Sequence, residues 1–128
     1  MKTNLATAFA KITEYWSPRI AAELNGQHVK LARLKGEFVW HHHADEDELF
    51  LVHRGSLVME FRDQPHGDAT RREEVRAGEF IVVPRGVEHR PVAAEEVEVV
   101  LFEPAGTLNT GNVDNERTVH APRRLDAP

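Results

Sequence analysis

The sequence contains no cysteine, and this absence excludes several classes of protein at once. Disulfide scaffolds, cysteine-based zinc sites, thiol nucleophiles and cysteine-held iron–sulfur clusters all need a thiol. Positive charge is also scarce, with 16 lysine and arginine residues against 21 aspartate and glutamate residues and a formal net charge of −5. A chain with net negative charge argues against nucleic acid as a partner.

Long apolar runs are missing as well. None approaches the roughly 20 residues that a membrane-spanning helix needs, and residues 1–16 lack the continuous apolar stretch of a secretory signal. We therefore expect a cytoplasmic protein without a membrane partner. The chain has 128 residues, enough for one ordinary domain. A domain of that size buries roughly two-thirds of its unfolded surface without needing disulfides.

Residues 4–15 predict a short amphipathic helix. Asn4 is a suitable N-cap, and a Ser-Pro pair at residues 17–18 ends the segment. Apolar side chains recur at helical spacing between these limits, at Leu5, Ala8, Phe9 and Ile12.

The rest of the chain is typical of short strands with turn residues between them. Asn25-Gly26 predicts a hairpin turn, and Glu95-Glu96 predicts a turn late in the chain. This pattern predicts eight or more strands with no βαβ rhythm, which indicates an all-β sandwich or small barrel. The predicted strands cover residues 19–24, 28–34, 37–43, 48–53, 56–62, 71–75, 80–83, 87–92 and 97–102.

Three of the eight histidines are consecutive, at residues 41–43. In an extended segment, alternate side chains share a face, so His41 and His43 point the same way with α-carbons roughly 6.6 Å apart. His42 then points outward. Neutral imidazoles bind divalent first-row metals well, and a neighbouring carboxylate adds charge compensation. The spacing therefore predicts a metal site.

Two further ligands are expected from later in the chain. Glu48 opens the next predicted strand after an acidic turn at residues 45–47, with its side chain directed inward. A fourth ligand has to come from a more distant strand, and His89 is the best candidate, since it follows a Pro-Arg-Gly turn.

These positions resemble the two motifs of the cupin superfamily. Residues 41–55 read HxHx₄Ex₆G, and residues 78–89 read Gx₅PxGx₂H. The resemblance implies a jelly-roll β-barrel in which His41, His43, Glu48 and His89 hold one metal ion. It further implies a homodimer, since small cupins commonly pair. The chain departs from the pattern twice: four residues rather than five separate Gly36 from His41, and Ala93 stands where the second motif often has asparagine.

The same resemblance predicts the domain organisation. We expect an N-terminal helical extension at residues 1–18, a cupin barrel at residues 19–104, and a C-terminal extension at residues 105–128 that packs on the barrel or on a partner subunit.

Several other residues receive structural interpretations. His28, His53, His66 and His120 have no second feature and are interpreted as ordinary histidines. Arg85 and Arg90 flank His89 and could reach a substrate carboxylate or phosphate, but are interpreted as surface residues. The hydrophobic core is predicted to include Phe50, Val52, Met59, Phe61 and Val83, although those sharing the face of Glu48 could line a pocket.

The leading functional hypothesis is a metal-dependent enzyme acting on a small polar organic substrate, by oxygenase-type or isomerase-type chemistry that the residues do not choose between. The ligand set suits Fe, Mn, Ni, Co, Cu or Zn. No catalytic acid or base besides the ligands is identified. The alternative is a non-catalytic module that binds a metal or small molecule, as a sensor or storage protein. A structural role through homodimer formation is compatible with either, and a DNA-binding regulator is disfavoured because no helix-turn-helix pattern is present.

Overall fold

A computed structural model describes residues 2–126. It contains one helix and seven strands. In chain order they are α1 (Leu5–Ala10), β1 (Arg19–Leu24), β2 (Gln27–Glu37), β3 (Glu48–Arg54), β4 (Ser56–Phe61), β5 (Arg71–Arg76), β6 (Phe80–Val83) and β7 (His89–Pro104). The all-β fold with a short N-terminal helix is confirmed, and the strand count is lower than expected.

Strand β7 is the common element of the barrel. One edge of its 16 residues pairs antiparallel with β2. On the other edge, its beginning pairs with β4 and its later half pairs with β3. β1 continues the sheet beyond β2, β6 continues it beyond β3, and β5 pairs with β4. One long strand therefore joins the β4–β5 hairpin to the β3–β6 pair.

The predicted turn at Glu95-Glu96 is wrong. Strand β7 runs through these residues, and its register with β2 shifts between the pairs Leu34–Val97 and Gly36–Ala93. Residues 94–96 thus stand against Lys35 alone, which makes a bulge. Acidic residues that suggested a turn instead occupy a bent, exposed part of one strand, and two predicted strands merge into one.

The other local predictions hold in part. Asn25 and Gly26 both have positive φ, of 51° and 76°, as the predicted hairpin turn requires. Asn4 caps α1, since its side chain accepts a hydrogen bond from the Thr7 backbone N–H at 2.9 Å. The helix ends at Ala10, earlier than predicted, because the N–H groups of Lys11 and Ile12 donate to carbonyls three residues back.

The main core lies between the strands and follows from their alternation. Six strands contribute its buried side chains, and all the predicted core residues are among them: Ala32, Leu34, Phe50, Val52, Leu57, Met59, Phe61, Val75, Val83, Ala93, Val97, Val99 and Leu101. A second cluster fixes α1 against the outer face of β2 through Ala8, Phe9, Ile12 and Leu31.

The segment after β7 returns along the barrel. The Ile20 N–H donates to the Arg123 carbonyl at 2.9 Å, and the Leu125 N–H donates to the Ile20 carbonyl at 2.8 Å. Leu125 also packs against the cluster under α1. Residues 105–126 therefore contact the barrel of their own chain, while the domain boundaries at residues 18 and 104 stay predictions.

Part of the outer sheet face is apolar and exposed. Phe80 and Val82 of β6 are 61% and 49% exposed, and Phe102 of β7 is 37% exposed. All three flank the outward side chains of Leu49 and Leu51 on β3. The homodimer implied by the resemblance stays a prediction, as does the cytoplasmic location. Among residues 2–126, no helix has the length and apolar character required to cross a bilayer.

Gly55, between β3 and β4, lies close to the backbone of β7. Its φ is +85°, and an added Cβ would lie 2.8 Å from the Glu96 carbonyl oxygen and 3.3 Å from the Val97 Cα. Gly78 has nearly the same φ, +86°, with no atom within 4 Å of such a Cβ.

We expect Gly78→Ala to lower the free energy of unfolding by about 1 kcal/mol, because the alanine is strained in the left-handed region. Gly55→Ala should lower it by about 2–4 kcal/mol, because overpacking against β7 adds to the same strain. Urea unfolding measures both, and equal losses would contradict the close approach of β7.

Candidate metal centre

The segment that carries the first two histidines is extended but is not a regular strand. The Phe38 N–H donates to the Pro91 carbonyl at 3.0 Å. His41 and His89 exchange two backbone hydrogen bonds, of 3.0 and 2.8 Å, as in an antiparallel bridge. The strand predicted at residues 37–43 is thus wrong after Glu37, but the alternation it implied is present, because the bridge keeps this backbone extended.

The bridge places two imidazoles side by side. The ring centroids of His41 and His89 are 4.3 Å apart, and that of His43 lies 5.0 Å from His41. His41 and His43 are 1% and 3% exposed, and His89 is fully buried. His42, between the two ligand candidates, points outward as predicted, and its Nδ1 lies 3.0 Å from a carboxylate oxygen of Glu88.

Glu48 completes the cluster from the first position of β3. Its Oε1 lies 3.4 Å from the His43 Nε2 and 3.6 Å from the His89 Nε2. One candidate ligand atom from each of the four residues lies within 4.8 Å of all the others. The structure therefore brings together all four residues predicted from the sequence, and their role as ligands stays a prediction.

The unpaired polar atoms of the cluster fit a cation. Glu48 Oε1, His43 Nε2 and His89 Nε2 are buried without a hydrogen-bond partner. Each such atom costs about 1–3 kcal/mol unless a ligand satisfies it. The Nδ1 atoms of His41 and His89 lie 2.9 and 2.8 Å from the carbonyls of Val39 and Val87. An Nδ1–H donated to each carbonyl leaves the Nε2 lone pair free to bind a metal.

The protonation states also suit a cation. Burial, together with the neighbouring His89, lowers the pKa of His41 to about 3, so its imidazole is neutral at pH 7. Burial alone would raise the pKa of Glu48, but the polar groups of the neighbouring Glu103, His43 and His89 outweigh it and hold that pKa well below its usual range. Neutral imidazole and ionised carboxylate are the ligating forms.

Two charged residues beside the cluster were missed by the sequence reasoning. Lys30 on β2 and Glu103 on β7 are 3% and 2% exposed, and the Lys30 Nζ lies 2.8 Å from the Glu103 Oε1. Burial and the negative charge of Glu48 raise the pKa of Glu103 well above its usual range. Strand alternation could have found both, since Lys30 shares a face with Ala32 and Leu34, and Glu103 with Val99 and Leu101.

Two residues of the cluster, His41 and Glu48, line a pocket of about 440 Å³, a volume that includes its mouth. His41, Glu48 and Glu103 supply charged or titratable groups, and Asn109 adds an amide. The remaining lining residues are apolar: Trp16, Pro18, Ala32, Leu34, Phe38, Phe50, Pro91, Val99 and Leu101.

The arginines that flank His89 do not line this pocket. Arg85 pairs with Asp47 and is exposed. Arg90 pairs with Glu60 and Glu37, and its guanidinium lies 4.9 Å from the ring centroid of Trp40. Their interpretation as surface residues agrees with these contacts, and the remaining histidines, at positions 28, 53, 66 and 120, lie outside the metal-site cluster.

Comparison with known proteins identifies the fold family. The family model for the cupin domain matches residues 27–103, more than half of the chain. The chain therefore belongs to the cupin family.

Individual relatives agree with this assignment. The uncharacterized protein YdbB of Bacillus subtilis is 33% identical over 87 residues, which cover 68% of this chain and 72% of that protein. The crystal structure of a cupin-2 domain-containing protein from Shewanella frigidimarina matches with a TM-score of 0.72 and 44% identity, covering 80% of this chain and 93% of the other.

A more distant structure belongs to an enzyme. Hydroquinone 1,2-dioxygenase from Sphingomonas, in complex with 4-nitrophenol, matches with a TM-score of 0.71 and 18% identity. The match covers 80% of this chain and 32% of that one. At this identity the similarity shows the fold alone.

Added metal should stabilise the protein through the cluster. At one hundred times its dissociation constant, Ni²⁺ or Zn²⁺ should raise the free energy of unfolding by about 2.7 kcal/mol. In His89→Ala the same metal concentration should give less than about 1 kcal/mol, because one ligand is lost. His53→Ala, outside the cluster, is the control. Urea unfolding with and without metal measures the increment, and a full increment in His89→Ala would contradict this ligand set.

The pKa of His41 predicts how stability depends on pH without metal. His41 takes up a proton near pH 6.5 when unfolded but near pH 3 when folded, so the unfolded state binds more protons between these values. Stability is therefore complete above pH 6.5 and falls as the pH drops toward 3, by up to about 1.4 kcal/mol per pH unit.

His41→Gln should flatten this dependence in urea unfolding of the metal-free protein between pH 7 and 4. His120→Gln, at a side chain that is 70% exposed, should leave it unchanged. Parallel slopes for wild type and His41→Gln would show that His41 is not held neutral by the fold.

Proposed function

We propose that this cupin is a metal-dependent enzyme that acts on a small organic molecule, with one divalent Fe, Mn, Ni, Co, Cu or Zn ion held by His41, His43, Glu48 and His89. One observation carries the proposal: His41 and Glu48 of the four-residue cluster line a pocket that also holds a carboxyl group outside the ligand set, that of Glu103. A binding site for the metal alone would not need that additional group.

The metal would supply Lewis-acid polarisation of a substrate oxygen and open coordination positions. Three neutral imidazoles and one carboxylate leave a divalent ion with a net charge near +1. In a five- or six-coordinate ion, one or two positions remain open. Both oxygenase-type and isomerase-type chemistry use such positions.

Glu103 is the group best placed to exchange a proton with the substrate. It lines the pocket beside His41 and Glu48. Lys30 fixes one of its oxygens at 2.8 Å and is itself held by the Thr107 carbonyl at 3.4 Å. A carboxyl whose pKa is raised by burial and a neighbouring charge is typical of a general acid or base that works near neutral pH.

The pocket constrains the substrate. Its walls are apolar, with a stacked Trp16–Phe38 pair at 4.8 Å, and its polar groups are concentrated near the metal cluster. We propose a compact substrate with an apolar body and one polar end, which narrows the polar substrate expected from the sequence. The fold similarity to hydroquinone 1,2-dioxygenase makes hydroquinone a reasonable first member of a test panel.

The second candidate function is a non-catalytic module that binds a metal or a small ligand. Apart from the candidate ligands, the described residues that line the pocket include a single titratable group, Glu103, and therefore no catalytic pair, which favours it. The two functions differ in turnover rather than in metal binding.

Turnover assays on protein loaded with Fe, Mn, Ni or Zn test the proposal. Oxygen consumption and product formation would be followed with hydroquinone, small hydroxy ketones and small enolisable acids. Activity should require His89, since His89→Ala removes a ligand.

Glu103→Gln keeps an oxygen that accepts a hydrogen bond from Lys30 but loses the carboxyl that would exchange a proton. The kcat should therefore fall by about 10²–10⁴-fold, and the metal affinity should stay unchanged.

Glu98→Gln is the matched control, because Glu98 lies on the same strand and is buried but pairs with Arg33 outside the pocket. It should keep near wild-type turnover. Metal binding without turnover in any arm would contradict an enzyme and favour the module.

A further inference from the structure

The chain beyond the matched cupin domain contacts the metal cluster directly. The family match ends at residue 103, yet residues 109–113, which we call the buttress loop, pack against the segment that carries His41 and His43. We propose that the buttress loop is part of the metal centre, with Gly111 and Asn112 as positioning residues for these two ligands. This inference rests on the proposed metal site.

Asn112 makes a reciprocal pair of hydrogen bonds with His42. The His42 backbone N–H donates to the Asn112 Oδ1 at 2.9 Å, and the Asn112 N–H donates to the His42 carbonyl at 3.1 Å. His42 lies between the two ligand residues. Fixing its peptide groups therefore fixes the backbone from which both imidazoles project.

Gly111 brings the loop into contact with the same backbone. A Cβ at this position would lie 2.1 Å from the His42 carbonyl oxygen and 3.1 Å from the His41 Cδ2, and its φ is +57°. A distance of 2.1 Å to a backbone oxygen is far inside van der Waals contact, so no side chain fits without moving the ligand segment. The approach requires glycine for its lack of a Cβ.

The buttress loop is itself held in place. Thr110 is fully buried, and its Oγ1 donates to the Val113 carbonyl at 2.6 Å and lies 2.7 Å from the Thr118 Oγ1. The Asn109 side chain bonds the Arg117 carbonyl and the Val119 N–H, each at 2.8 Å. The loop thus has internal support independent of His42, as an element that positions another segment needs.

The segment that carries His41 and His43 is held by contacts with its neighbours. Residues 38–43 are outside the regular strands, and their backbone bonds to Pro91 and His89 come from β7. The Gly86 N–H, in the turn before β7, donates to the His43 carbonyl at 2.7 Å. The backbone hydrogen bonds at His42 come instead from the buttress loop, so this loop supports the part of the segment that neither β7 nor the turn at Gly86 holds. Partners that orient metal ligands typically change metal affinity by about 10–100-fold when removed.

Metal affinity, measured by competition with a chelator, tests the inference. In Gly111→Ala and Asn112→Ala the Kd for Zn²⁺ should rise by about 10–100-fold. Asn112→Asp keeps an acceptor for the His42 N–H and should restore much of the loss. Gly106→Ala is the matched control, since Gly106 lies in the same C-terminal segment at φ +92° with no atom within 4 Å of an added Cβ. Its Kd should stay within about 2-fold of wild type, since the substitution meets no neighbour.

A spectroscopic readout separates positioning from loss of stability. The d–d absorption of the Co²⁺-loaded protein should change in Gly111→Ala and Asn112→Ala and stay the same in Gly106→Ala. Wild-type affinity and spectrum in Asn112→Ala would overturn the inference, even if Gly111→Ala does not fold. If the wild-type protein binds no metal, both the metal site and this inference are wrong. If the wild-type protein binds metal and the variants have the same Kd and spectrum, only this inference is wrong.

Discussion

The two backbone hydrogen bonds between His41 and His89 are the constraint on which the candidate site depends. They join an irregular segment to the first residue of β7, and two imidazoles from distant parts of the sequence come to share one face. Glu48 meets them because β3 pairs with the later half of the same strand. One continuous strand thus organises the barrel and contributes to its buried polar cluster, while the segment that carries His41 and His43 lies outside the regular strands and also contacts the buttress loop.

Several buried polar groups of the structure lie together beside the candidate metal centre. Three orphaned ligand atoms, a carboxyl pair and a buried lysine lie together, whereas the neighbouring core is apolar. A buried lysine and carboxyl such as Lys30 and Glu103 are a weak source of stability, because the charged form of each loses several kcal/mol of hydration on burial. A cation placed between Glu48 and the imidazoles offsets part of that cost. A metal ion bound at this cluster would therefore be linked to folding.

Much of the fold and the four-residue cluster could be predicted from local patterns. Alternation placed His41 and His43 on one face, an N-cap residue located α1, and Asn25-Gly26 located the first hairpin. The failures arose where distant contacts override local preference. Glu95 and Glu96 look like a turn, yet pairing with β2 absorbs them as a bulge. Glu103 and the loop around Gly111 acquire their roles through partners at Lys30 and His42, which no local pattern reveals.

The bulge in β7 also has a consequence for how such a chain can vary in length. Side chains alternate along a strand, so inserting or deleting one residue exchanges the inward and outward sets from that point onward. Between Val97 and Glu103 such a change would turn Glu103 toward solvent, and near His89 it would expose an imidazole. Residues 94–96 already depart from regular pairing, so an inserted or deleted residue at that bulge would leave the register on either side unchanged, and His89 and Glu103 would each keep their facing.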